Sequence, residues 1–327
     1  MKRSFRIFIT SLILSILILG LFTFVGFSGK KLKFAWCPTI TDPFYFMIGK
    51  GAKAAAEKYG VDLFVSEYPK AWGPEIQIPI LKAVAARGDI DLLFTGPASK
   101  DALIPVLKEI YDMGIEIITV DTYIGDGDYT HPPIDFPLSF IGTDNFQGGV
   151  EVAHRLAKMI GEKGKVFVET TNPDVSSVVE RVEGFKKGIK DYPNIELVGV
   201  EYNLDSQEKA QAQVAAALQA HPDIVGIFGT NLYSAQGAYQ AVVNAGLTGV
   251  VKIASWDATV DLINALKEGK VDLVLAQRPF DMGYLAVEWG YKYFTQNAKV
   301  PKRINPGFFF FTRENVNDPE AQKFIYK

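Results

Sequence analysis

Two aspartates sit in matching places of this 327-residue chain. Asp257 lies in ASWDA, directly after the apolar run VKIAS, and Asp121 lies in VDT, at the end of IEIITV. Each stands where a strand should give way to a helix. A carboxylate there can cap the next helix, or it can accept hydrogen bonds from a ligand at the strand's carboxyl end. The paired placement favours the ligand. An ionised carboxylate only accepts, and its hydrogen bonds are roughly twice as strong as neutral ones. Two such groups facing one gap would orient a small molecule rich in hydroxyls. Trp256, beside Asp257, would either pack on an apolar C–H face of that molecule or fill the inside of its own lobe.

The elements that must position these residues are legible from residue 32 to about 297. Apolar β-prone runs alternate with helical patterns, as in successive βαβ units on a parallel sheet. LKFAW, VDLFVS, DLLFT, IEIITV and LSFIG form one set of expected strands; KVFVET, IELVGVEY, IVGIFG, VKIAS and VDLVLA form a second. Phe44, Met47, Ile48, Ala55 and Tyr59 keep helical spacing, with Asp42–Pro43 as the start signal and Gly60 as the stop. The two sets repeat. GAKAAAEKYGVDLFVSEY from Gly51 matches GFKKGIKDYPNIELVGVEY from Gly184, an offset of 133, and Asp121 and Asp257 are 136 apart. The chain is therefore expected to be α/β, with two similar doubly wound parallel-sheet lobes, and a pseudo-two-fold would bring both aspartates to one cleft.

Several functions are excluded by composition. A net charge of −3 with dispersed Lys and Arg leaves no footprint for nucleic acid. The single cysteine, Cys37, cannot form an internal disulfide and reads as a small buried hydrophobe, and three scattered histidines show no metal-ligand spacing. No cofactor is expected: FAWCPTITDPF, after the first strand, has no glycine to cradle a phosphate. No histidine falls in a cleft segment to activate a nucleophile. Residues 1–29 open with the basic MKRSF and continue into an uncharged apolar stretch, 7–27. That pattern is an export signal, with Gly26 and Ser28 as small residues for cleavage, or an N-terminal membrane anchor, since the stretch approaches the ~20 residues that span a bilayer.

TDNFQGG (143–149), RVEGFKKG (181–188), GTNLYSAQGA (229–238) and the long run from Ser255 to Glu288, together with the VDT of 120–122, resemble the periplasmic sugar-binding proteins of ABC importers, in the ribose, glucose and galactose cluster. The resemblance covers nearly all of residues 32–312. It implies two lobes joined by a three-crossing hinge, 30–143 plus 278–305 and 144–277 plus 306–327, with crossings near Gly142–Asp144, Ala276–Pro279 and Asn305–Phe311. It places Asp121, Arg181, Asn231, Asp257 and Gln277 on sugar hydroxyls and gives Phe44 and Tyr45 the role of an aromatic wall. Thr122 is expected at the ligand too, where several relatives carry Arg, so a cationic donor is missing there. Trp72, Asn172 and Gln236 are further candidates.

The expected function is capture of a monosaccharide or a cyclic polyol such as inositol by hinge closure, and delivery to a membrane permease by a monomeric, exported protein. A receptor feeding a signalling partner is an alternative. So is an enzyme using Asp121 and Asp257 as acid and base on a glycoside. A DNA-binding sugar sensor would need a helix pair ahead of the first strand, where the apolar segment lies.

Overall fold

The computed structural model describes residues 31–327, so the segment expected to direct export, 1–29, lies outside the described residues. The alternation in the sequence becomes two six-stranded sheets. Lobe 1 carries β1 (Lys33–Cys37), β2 (Asp62–Val65), β3 (Leu92–Thr95), β4 (Glu116–Val120) and β5 (Ser139–Ile141), with α1 (Pro43–Tyr59), α2 (Pro74–Ala85) and α3 (Ile104–Asp112) between the first four strands. Lobe 2 begins with α4 (Asn145–Met159) and continues β6 (Gly164–Thr170), α5 (Ser176–Ile189), β7 (Ile195–Tyr202), α6 (Gln207–Ala220), β8 (Ile224–Gly229), α7 (Leu232–Asn244), β9 (Lys252–Trp256), α8 (Val260–Lys267) and β10 (Leu273–Ala276). α9 (Pro279–Gln296) returns to pack on α1; β11 (Arg303–Ile304) then joins the first sheet and β12 (Phe309–Phe311) the second.

The sheet orders, β11-β5-β4-β3-β1-β2 and β12-β10-β9-β8-β6-β7, are one order used twice. All ten expected strands are present. The short edge strands β11 and β12 were not among them, because two or three residues carry no readable period. β12 lies antiparallel on β10, while β11 lies parallel on β5. Strands such as LLFT of β3 and LVLA of β10 are buried throughout, as expected for parallel strands covered on both faces. Asp42 caps α1 by accepting the Tyr45 N–H at 2.8 Å, and Gly60, at φ 70°, ends it. Cys37 is fully buried, and burial pushes its thiol up to about 12.

The repeat extends to the helix packing. A Cβ on Gly51 of α1 would lie 1.8 Å from the carbonyl oxygen of Phe280 on α9, and one on Gly184 of α5 would lie 2.0 Å from that of Phe146 on α4. The reciprocal contacts recur as well: Gly283 against Ile48 at 1.9 Å, Gly149 against Arg181 at 2.3 Å. Each lobe thus crosses two helices backbone to backbone, and any side chain would force them apart. Gly184→Ala should destabilise the protein by about 1–3 kcal/mol, the usual cost of overpacking. The check is a lower urea midpoint at unchanged slope.

The chain passes between the sheets three times, around residues 142–144, 277–278 and 305–308. The passages are tied together: Thr143 Oγ1 donates to Gln277 Oε1 at 2.8 Å, the Gly142 N–H to the Ile304 carbonyl at 3.1 Å, and Arg278 Nη1 to the Pro306 carbonyl at 2.9 Å. The lobes also touch away from these passages. Tyr123 of lobe 1 donates to Glu180 of lobe 2 at 3.0 Å, and the rings of Phe44 and Tyr326 meet edge to face at 5.8 Å.

Candidate functional site

A cavity of about 280 Å³ lies between the lobes, near the small end of the range for small-molecule sites, roughly 300–1,000 Å³. Asp121 and Asp257 reach it from opposite sides. Their local structures match. Both residues take a left-handed backbone, φ 69° and 74°, a conformation that Asp tolerates better than most side chains. Both N–H groups extend the sheet by donating to the neighbouring strand, Asp121 to Ile141 O at 3.0 Å and Asp257 to Leu275 O at 2.8 Å. Both carboxylates accept a tyrosine hydroxyl: Tyr45 to Asp121 Oδ2 at 2.8 Å, Tyr326 to Asp257 Oδ1 at 3.4 Å. Neither aspartate caps the following helix; Thr259 caps α8 instead.

Arg181 is the only cation on the cavity wall among the described residues. Its Nε donates to Asn145 Oδ1 and its Nη1 to the Thr230 carbonyl, each at 2.9 Å, and its guanidinium lies 4.3 Å over the Trp256 ring. Two of five N–H donors are thus used to hold the plane, leaving three for a ligand. Gln277 Nε2 donates to Asp257 Oδ1 at 2.9 Å. Asn231 caps α7 through Oδ1, which accepts the Ser234 N–H at 2.9 Å, and donates from Nδ2 to Asp205 at 2.7 Å. Phe44, Tyr45 and Trp72 form the apolar side of the wall, with Trp72 Nε1 held by the Ala98 carbonyl at 2.8 Å.

The structure brings together Phe44, Tyr45, Asp121, Arg181, Asn231, Asp257 and Gln277, with Trp72 and Asn172. It places three expected residues elsewhere. Trp256 is fully buried in the lobe 2 core, behind Arg181, because Gly148 of α4 leaves room for its ring there. Thr122 turns inward and donates to the Pro97 carbonyl at 2.8 Å. Gln236 lies outside the cavity and donates to Asp261 at 2.9 Å. Missed residues include Asp42, read only as a helix cap, and Ser177, Val178 and Asp205. The repeat carried a signal for the last three: they stand 133 residues beyond Phe44, Tyr45 and Trp72.

Four carboxylates, Asp42, Asp121, Asp205 and Asp257, therefore share the cavity with one guanidinium. Burial pushes Asp121 up to about 6, against the pull of Arg181 and the Tyr45 hydroxyl, and pushes Asp42 up to about 8. Asp257 and Asp205 are also raised, burial again being the main cause. Burial lowers Arg181, while the two central aspartates oppose that shift. Glu169 of β6, buried with Asn203 as its one donor among the described residues, rises to about 8. Above the ordinary carboxylate range, about 4, the unfolded chain releases protons that these groups still hold when folded. Their contribution to stability is complete below that range and is lost as pH rises through about 6 and about 8. The melting temperature of the ligand-free protein should accordingly fall between about pH 5.5 and about pH 8.5, and Asp42→Asn, which preserves a capping side chain, should lessen the fall.

Two doubly wound lobes flanking a small cavity, with acceptors reaching it from both sides, are the architecture of a solute-binding protein. The sequence matches the periplasmic binding protein domain over residues 34–298, and the chain belongs to that family. A solute-binding protein of an ABC transporter from Agrobacterium vitis, solved with bound alpha-D-tagatopyranose, is 37% identical; the match covers 91% of this chain and 100% of that one, at a TM-score of 0.88. A second from the same organism, with bound D-fucose, is 26% identical over 90% of this chain and 100% of its own, at 0.82. The ribose import binding protein RbsB of Salmonella typhimurium is 29% identical over 250 residues, 76% of this chain and 80% of that protein. Membership of this periplasmic family places the protein's work outside the cytoplasm.

Proposed function

We propose that the protein captures one neutral monosaccharide in its ring form, closes over it, and presents the closed form to the permease of an ABC importer. The observation that carries this reading is the matched pair Asp121 and Asp257, aimed from two lobes into one cavity. A pyranose offers a belt of hydroxyls that donate to these carboxylates and accept from the free N–H groups of Arg181, while Phe44, Tyr45 and Trp72 cover its C–H faces. The tagatose-bound relative makes a ketohexose the first sugar to test. The protein acts as an exported monomer, its N-terminal segment being either removed or kept as an anchor. Hinge rotation about the three passages supplies the closure, on the microsecond to millisecond scale usual for such motions.

The excess of carboxylates argues against anionic ligands: even with Asp42 protonated at neutral pH, a sugar phosphate or a uronate would meet three further carboxyls, Asp121, Asp205 and Asp257, against the single guanidinium of Arg181. Thermal shift and calorimetry against D-tagatose, D-fucose, D-ribose, D-allose, D-arabinose and myo-inositol, with a uronate as the contrast, test the reading. A ligand at a hundred times its Kd stabilises by about 2.7 kcal/mol. We expect one or two neutral sugars to bind near micromolar, about −8 kcal/mol. Silence from every neutral sugar, or a preference for the uronate, refutes it.

A further inference from the structure

Asp257 has a partner that the repeat of its own lobe does not supply. In lobe 1, Asp121 accepts from Tyr45 of α1. At the place 133 residues on, in α5, stands Val178, which has no group to donate. Tyr326, from the segment that follows β12, takes up that role. We propose that Tyr326 is a positioning residue of the ligand site, the counterpart for Asp257 of what Tyr45 is for Asp121, so that the segment around residue 326 is part of the binding machinery. The affinity arm of the test rests on the sugar-binding reading; the titration arm does not.

The geometry leaves the hydroxyl little choice. It accepts the backbone N–H of Gln277 at 2.8 Å, so its single hydrogen is directed to Asp257 Oδ1, 3.4 Å away. That same oxygen takes the Gln277 side-chain N–H at 2.9 Å. Both side-chain donors to Asp257 thus converge on Oδ1. The segment itself is pinned, since the Tyr326 N–H donates to the Ala258 carbonyl at 2.9 Å, one residue beyond the aspartate. Its ring is buried and stands behind the cavity wall, with its edge against Phe44 of lobe 1. Lys50 of α1 donates to the Lys327 carbonyl, a second tie across the lobes. Tyr326 therefore couples the orientation of Asp257 to the approach of lobe 1.

The other groups facing Asp257 are Arg181 from α5, the Leu232 N–H at the start of α7, and the carboxylates of Asp42, Asp121 and Asp205 around the cavity. Removing the Tyr326 hydroxyl leaves all of these in place. Tyr326→Phe keeps the ring against Phe44 and loses both the donor to Asp257 and the acceptor of the Gln277 N–H. In the ligand-free protein, carbon NMR of the aspartate carboxyls should show Asp257 titrating at higher pH in this variant with Asp121 unmoved, and Tyr45→Phe should give the mirror result. For D-tagatose, affinity should fall roughly tenfold, as expected for losing a hydrogen bond to a charged group. In an Asp257→Asn background the same change should cost less than about twofold.

An unmoved Asp257 titration, or an equal affinity loss in the Asp257→Asn background, overturns the proposal. If D-tagatose does not bind, the titration alone decides it, and the sugar reading fails separately. If Tyr326→Phe does not fold, 3-fluorotyrosine placed at position 326 retains the ring and gives a stronger donor. It should move the Asp257 titration to lower pH, and no movement there is equally decisive against the assignment.

Discussion

Asp257→Ala is expected to lower sugar affinity by at least about a hundredfold, taking a micromolar binder out of the measurable range of an ordinary titration. A hydrogen bond to a charged group contributes about 1.5–3 kcal/mol, and a carboxylate facing the cavity can accept from more than one ligand hydroxyl. The loss does not stop at the ligand. Arg181 is buried, and its charged form is held up chiefly by Asp257, with Asp121 next. Removing this carboxylate leaves the buried guanidinium with less compensating charge, which adds to the loss. Asp257→Asn should be milder, since it keeps the shape and one acceptor oxygen while removing the charge. Calorimetry with the best sugar of the panel checks both variants, with circular dichroism to confirm that each is folded. Wild-type affinity in Asp257→Ala would mean that the ligand sits elsewhere.

The fold was legible because its determinants are local and duplicated. β-prone runs, helix-period stripes and the Gly51/Gly184 alignment are all written within short windows, and they suffice for two doubly wound lobes. Asp121 and Asp257 were readable for the same reason: a repeat displays equivalent positions side by side. Carried further, the 133-residue offset also points to Ser177, Val178 and Asp205. Trp256 shows where such reading ends. Its place beside Asp257 is visible in the sequence, but successive strand residues face opposite ways, and which face meets the cavity depends on where α4 packs. The room made at Gly148 settles that, and it lies more than 100 residues away in the chain. Thr122 is similar, since the Pro97 carbonyl that turns it inward comes from a different loop. Tyr326 was invisible for a third reason: it has no partner in the repeat, and only the path of the chain after β12 brings it to Asp257.

Arg181 gives the other large effect. Arg181→Met should reduce sugar affinity by about 1.5–3 kcal/mol, the range for losing a hydrogen bond to a charged group. Arg181→Lys should recover little of it. A lysine is a point charge on a flexible stem, whereas the guanidinium is held in one plane by Asn145, Thr230 and the Trp256 face and presents its remaining N–H groups in a fixed fork. The variant also has a pH signature. Arg181 is the largest influence drawing Asp121 and Asp257 down against burial. Without it both carboxyls hold their protons to higher pH, and a protonated carboxyl spends one of its oxygens as a donor where the site needs acceptors. The residual affinity should therefore weaken on acidification from a higher pH than in the wild type, in which the decline sets in near the Asp121 value of about 6. Measuring Kd from about pH 5 to about pH 8.5 separates this from a loss of packing, which would lower affinity evenly across the range. A variant within about threefold of wild type, with an unchanged pH profile, would show that hydroxyl acceptors alone hold the sugar and that the cation serves only the fold.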